Sequence, residues 1–160
     1  MHKRTLQAGR CYCGLPTDYS LCCGPLHRGA AHAETAEQLM RSRYSACCLD
    51  LVDYLIDTTH ASTKASYQPQ ELADWLQQSQ WCSLQIVSSS NGGGHSDHVD
   101  FVAYHQEDKQ LLQHREYSLF KRDADQHWYF VGGEHRNDIA IERNQSCPCG
   151  SGKKHKKCCL

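Results

Sequence analysis

The chain lacks any apolar run long enough to cross a bilayer, which takes about 20 consecutive residues. Its first stretch, MHKRTLQAGRC, carries positive charge without an apolar segment and reads as no secretory signal. Charge of one sign is missing as well: 17 Lys+Arg against 18 Asp+Glu leave a formal net charge of -1. That excludes the overall basic field with which nucleic-acid binders attract phosphate. Gly132-Gly133 is not followed by the G-x-G-x-x-G pattern of a dinucleotide loop. No residue is marked by its spacing as a catalytic base, so no catalytic residue is assigned.

Cysteine, by contrast, is abundant, and most of the 11 fall into two blocks. The first has Cys11 and Cys13, eight residues, then Cys22 and Cys23; the second has Cys147 and Cys149, eight residues, then Cys158 and Cys159. Both read C-x-C-x8-C-C. Cys47, Cys48 and Cys82 remain, and the odd total argues against a closed disulfide framework. Neighbouring cysteines such as Cys22-Cys23 cannot bridge each other without backbone strain. Free thiols and no secretory signal point to a reducing cytoplasm.

Four thiolates suit one tetrahedral zinc and close its shell, as structural rather than catalytic zinc requires. Iron-sulfur ligation also takes four thiolates, but this spacing is cramped for a cluster. His27 and His155 are nearby substitutes for a cysteine ligand. The second block encloses GSGKKHKK, where Lys153, Lys154, Lys156 and Lys157 can offset the net -2 of a four-thiolate zinc. The same lysines form a basic tip for an acidic partner or RNA. The first block encloses GLPTDYSL, with no lysine and with Asp18. The N-terminal site is therefore expected to hold its metal less tightly.

Between the blocks the hydrophobic period changes once. Ala36, Leu39, Met40, Tyr44 and Cys47 recur at helical steps, and Leu51, Val52, Leu55 and Ile56 continue them after a kink near Cys48–Asp50. Pro69 suits the first turn of another helix, with Leu72, Trp75 and Leu76 as its buried stripe. After Gln80 the period is two. Strands are expected at Trp81–Val87, His98–His105, Leu111–Arg122 and His127–Val131, joined by polar turns and the Asn91–Gly94 connector. Helices followed by hairpins give an α+β domain with an antiparallel sheet. Gly132-Gly133 closes it, so the chain divides into 1–30, 31–136 and 137–160.

On the third strand His114, Glu116, Ser118 and Phe120 share one face. Arg43 lies near the apolar helical stripe and needs a partner if buried, for which Glu116 is the candidate. Arg43, Tyr44, Trp75, Glu116 and Ser118 make a candidate polar pocket; the competing reading is a structural ion pair between helix and sheet. Cys47 and Cys48 read as small core fillers. His95 and His98 read as residues of a solvated loop.

CPCGSGKKHKKCC resembles the SEC-C motif, the zinc-binding tail best known from the SecA translocation ATPase. The first block resembles a second, degenerate copy. With Met40–Ser45, Val52–Leu55 and the segment around Trp128-Tyr129, the whole chain resembles the bacterial YchJ family. That resemblance implies a cone-like middle domain similar to nuclear transport factor and ketosteroid isomerase, with helices on a curved sheet. The SEC-C resemblance implies a zinc-binding adaptor that presents its modules to a protein partner. A small-molecule binder or enzyme using the middle pocket, and an RNA or ribosome contact through the lysines, are the rival readings.

Overall fold

A computed structural model describes residues 9–90, 93–108 and 110–158, with backbone alone at 137–140. Cys159 and the start of the Asn91–Gly94 connector lie outside the described residues. The architecture is the expected α+β: helices, then a four-stranded antiparallel sheet in the order β1-β2-β3-β4.

A short 3-10 helix, Tyr19–Leu21, precedes α1 (Gly24–His27). Helix α2 (Ala36–Cys48) starts where the Thr35 hydroxyl accepts the Gln38 amide at 3.1 Å, capping a free N–H of the first turn. It stops because Asp50 adopts φ 56, a left-handed conformation that no helix propagates. The kink expected there is thus a complete break before α3 (Val52–Asp57). A four-residue α4 (Ala61–Lys64) follows, and then α5 (Pro69–Gln78), with proline in its first turn.

The strands are β1 (Gln80–Ser89), β2 (Ser96–Glu107), β3 (Gln110–Arg122) and β4 (Trp128–Ile141). Positive φ at Asp108 and Gln126 turns the second and third hairpins. One difference from the expected pattern matters for the site. β4 does not end at Val131 but runs through Gly132-Gly133, and across residue 136, to Ile141. Its facing residues on β3 pair it all the way, with Leu111 opposite Ile141.

The main core lies between α2 and the inner sheet face. Ala36, Leu39, Met40 and Tyr44 pack on Trp81, Val99, Phe101, Ala103, Phe120 and Trp128. A second cluster joins Ala46, Leu55 and Leu76 of three helices. Cys47 and Cys48 are partly buried against the first cluster. In α5 only Leu76 of the expected stripe is buried; Trp75 is 42% exposed, because that end of the helix overhangs a cavity.

Candidate metal centres and the cavity

The first cysteine block folds back on itself in two turns. The Gly14 amide donates to the Cys11 carbonyl (3.0 Å), with Gly14 at φ 92. Asp18 then caps the 3-10 helix by accepting the Ser20 amide at 2.9 Å, and Cys22 follows immediately. The Cys11, Cys13, Cys22 and Cys23 sulfurs all lie within 4.8 Å of one another. Cys13 and Cys22 are 3.7 Å apart and Cys22 and Cys23 3.9 Å. A tetrahedral zinc with bonds of about 2.3 Å spaces its sulfurs by about 3.8 Å, so this donor set fits that ion.

The thiol electrostatics favour the same reading. Hydrogen bonds from Cys13 and Cys23 hold the Cys11 thiol well below the ordinary range. The reciprocal bonds to Cys11 push Cys13 and Cys23 up, and burial with the Cys13 charge pushes Cys22 to about 12. One thiolate forms readily and the others resist, since four like charges cannot share a buried site without a cation.

This module is built into the domain. Arg41, ion-paired to Glu37 at 2.9 Å, also donates to the Cys13 carbonyl at 3.4 Å. His27 does not serve as a metal ligand. Its Nε2 donates to the Ser42 carbonyl at 2.9 Å, which leaves Nδ1 to accept the Tyr19 hydroxyl at 2.9 Å. Both ring nitrogens are thereby committed, Nε2 to fastening α1 onto α2 and Nδ1 to tying α1 to the 3-10 helix. Burial lowers its pKa, in keeping with a neutral ring.

The second block repeats the turns on different residues. Gly150, at φ 79, donates to the Cys147 carbonyl (3.3 Å), and a 3-10 helix, His155–Lys157, leads into Cys158. Glycine stands at the same offset in both blocks because a left-handed turn is needed there. That shared glycine is a sequence signal that the loop charges obscured, and it gives both blocks the same first turn. Cys147, Cys149 and Cys158 gather within 4.8 Å, with Cys149 and Cys158 3.3 Å apart. Burial raises the Cys149 thiol, but bonds from Ser151, Cys147 and Cys158 bring it down to about 6. His155 is buried yet outside this group of donors. The four lysines are exposed, as is Cys158.

Between helices and sheet lies a cavity of about 180 Å³. Arg43, Tyr44, Trp75 and Glu116 line it, together with Phe130 and His114. Ser118 is fully buried outside that lining and donates to Glu116 Oε1 at 2.5 Å. The expected Arg43–Glu116 partnership does not form. Arg43 Nη1 donates to the Leu55 carbonyl (2.7 Å) and Thr58 Oγ1 (2.6 Å), and the guanidinium lies 4.5 Å over the Phe130 ring. The break after α3 offers those acceptors, so the arginine needs no acid. Glu116 instead meets His114 Nε2 at 3.2 Å. Burial pushes its carboxyl up, but the bonds to His114 and Ser118 win and hold it below the usual range. His95 is exposed, and His98 stacks on Tyr117, 4.8 Å between centroids. No helix among the described residues is long and apolar enough to cross a membrane.

The family model described as the YchJ middle, NTF2-like domain matches residues 35–133, and the SEC-C motif matches residues 143–160. A UPF0225 protein of Geobacter sulfurreducens is 39% identical over 93% of this chain and 96% of its own. One from Photorhabdus laumondii is 40% identical over 93% and 97%. Among solved structures, a SEC-C motif containing protein from Rhodopseudomonas palustris superposes with a TM-score of 0.74 at 32% identity, covering 80% of this chain and 99% of that one. Another from Psychrobacter arcticus gives 0.67 at 31%, covering 96% and 89%.

Proposed function

The chain belongs to the YchJ family, an NTF2-like middle domain carrying a SEC-C motif, and from that premise we propose that it is a cytoplasmic zinc-binding adaptor whose C-terminal module docks a protein partner. One observation carries the reading, the unequal placement of two similar modules. The N-terminal one is fastened to α2 through Arg41 and His27, with three of its cysteines buried. The C-terminal one closes its hydrogen bonds on itself, as in Cys147 to Lys153 and Lys156 to Arg143, and turns its lysines to solvent. A staple and a docking head are the natural roles for these two arrangements. Structural zinc supplies on the order of 10 kcal/mol, enough to order a segment too short to fold alone. The partner surface is acidic, to match Lys153, Lys154, Lys156 and Lys157.

The test is a pull-down with wild-type protein, Cys158→Ser and a variant with the four lysines neutralised, after nuclease treatment. The adaptor reading expects proteins captured by the wild type to be lost from both variants while circular dichroism shows the middle domain intact. Unchanged capture refutes it, and capture abolished by nuclease assigns the lysines to RNA.

A second reading is favoured by the cavity, whose apolar walls and polar Arg43 and Glu116 fit a small molecule. Native mass spectrometry of the purified protein, with Trp75→Arg to block the mouth, tests it through a retained ligand.

A further inference from the structure

The cavity wall holds a third group of metal donors that contains no cysteine. His135 stands directly opposite Glu116 in the β3–β4 register, so both project from the same sheet face. His114, two residues before Glu116 on β3, shares that face. The His114 and His135 rings lie 4.3 Å apart between centroids, and His114 Nε2 is 3.2 Å from Glu116 Oε2. One donor atom from each of His114, Glu116 and His135 falls within 4.8 Å of the other two. The group exists because β4 continues through Gly132-Gly133; a strand ending at Val131 would not bring His135 into place.

We propose that His114, Glu116 and His135 bind a divalent first-row transition metal at the wall of the cavity. Two imidazoles and one carboxylate suit zinc, iron or cobalt and are a poor match for calcium or magnesium, which take oxygen shells. The three ligands leave coordination positions open, unlike a four-thiolate zinc, whose shell is closed. Ser118 donates to the other oxygen of Glu116, an outer partner of the kind that fixes a ligating carboxylate. Side-chain exposure of 19% at His114 and 18% at Glu116 gives a partly dehydrated site with access from the His135 side. Two of the three donors line the cavity, so the open positions can take an oxygen or nitrogen donor of a small molecule seated there. The site is independent of the adaptor role and stands or falls apart from it.

The experiment uses the full chain with both cysteine modules first filled with zinc, then titrated with cobalt(II). The wild type is expected to take up one further equivalent with weak visible d–d absorption and without an intense near-ultraviolet thiolate band. His135→Ala removes an exposed side chain and should keep both zincs and the fold, yet bind that cobalt more than tenfold more weakly. Glu116→Gln should do the same, and His95→Ala, outside the site, should match the wild type. The proposal is overturned if no further equivalent binds, if binding is unchanged in His135→Ala, or if cobalt enters only with thiolate bands by displacing zinc.

Discussion

The side chain of Glu116 lies across Gly133, two residues along β4 from its register partner His135. A Cβ built on Gly133 would stand 2.7 Å from Glu116 Cγ and 2.8 Å from Cδ, far inside ordinary contact. The glycine therefore serves the carboxylate rather than ending the strand. Gly133→Ala should swing Glu116 away from buried Ser118 and strip that hydroxyl of its acceptor. The expected cost is about 1–2 kcal/mol in urea unfolding, with a weaker cobalt site. Wild-type behaviour in both measurements would show that Glu116 has another place to go.

Arg43 and Glu116 share one cavity without sharing a bond. In a double-mutant cycle with Arg43→Met and Glu116→Gln, the two changes should add within about 0.5 kcal/mol. Arg43→Met alone should cost about 2 kcal/mol, because it removes charge-assisted bonds to Leu55 and Thr58 and the stacking on Phe130. A coupling well above 1 kcal/mol would restore the ion pair that the residue types suggested.

Loop charge ranks the C-terminal block as the tighter metal site, whereas the burial of the N-terminal cysteines predicts the reverse order. Exposed lysines contribute well under about 1 kcal/mol each through solvent. At the N-terminal block Cys11, Cys13 and Cys23 are at most 3% exposed, and the Cys22 sulfur already sits at tetrahedral spacing from those of Cys13 and Cys23. A chelator titration followed by native mass spectrometry should remove one zinc first, and that one should be the zinc absent from Cys158→Ser. Earlier loss of the zinc held by Cys11 would favour the charge argument.

Burial keeps the His27 pKa below its ordinary 6.5. The unfolded chain therefore binds a proton that the folded one refuses, and stability falls as pH drops below about 6.5, levelling only below the folded pKa. The slope from this group is at most about 1.4 kcal/mol per pH unit. His27→Gln can donate to Ser42 and accept from Tyr19 without titrating, so its unfolding free energy should fall less between pH 7.5 and 5.5. Parallel curves for the two proteins would contradict the assignment.

What the residues alone conveyed depended on which atoms did the bonding. The hairpins and the apolar face of α2 were legible because side-chain period mirrors burial directly; Val99, Phe101 and Ala103 sit in the core as their alternation required. The partner of Arg43 was illegible because its acceptors are a backbone carbonyl and hydroxyls exposed by a helix break, which no residue type advertises. His135 was hidden by a glycine pair that reads as a terminator until the bulk of Glu116 is placed against it. The His27 contacts depend on packing between α1 and α2, which spacing alone does not encode.

β4 extends 14 residues, roughly 45 Å at about 3.3 Å per residue, and the C-terminal module begins almost where it ends. The C-terminal module is thus carried on a paired strand rather than a tether. Its bearing and its distance from the cavity are set by strand register. In the adaptor role proposed above, a partner would not first have to quench the wandering of a flexible tail. Inserting a single residue between Ile141 and Cys147 would re-aim the whole C-terminal module without touching any of its cysteines.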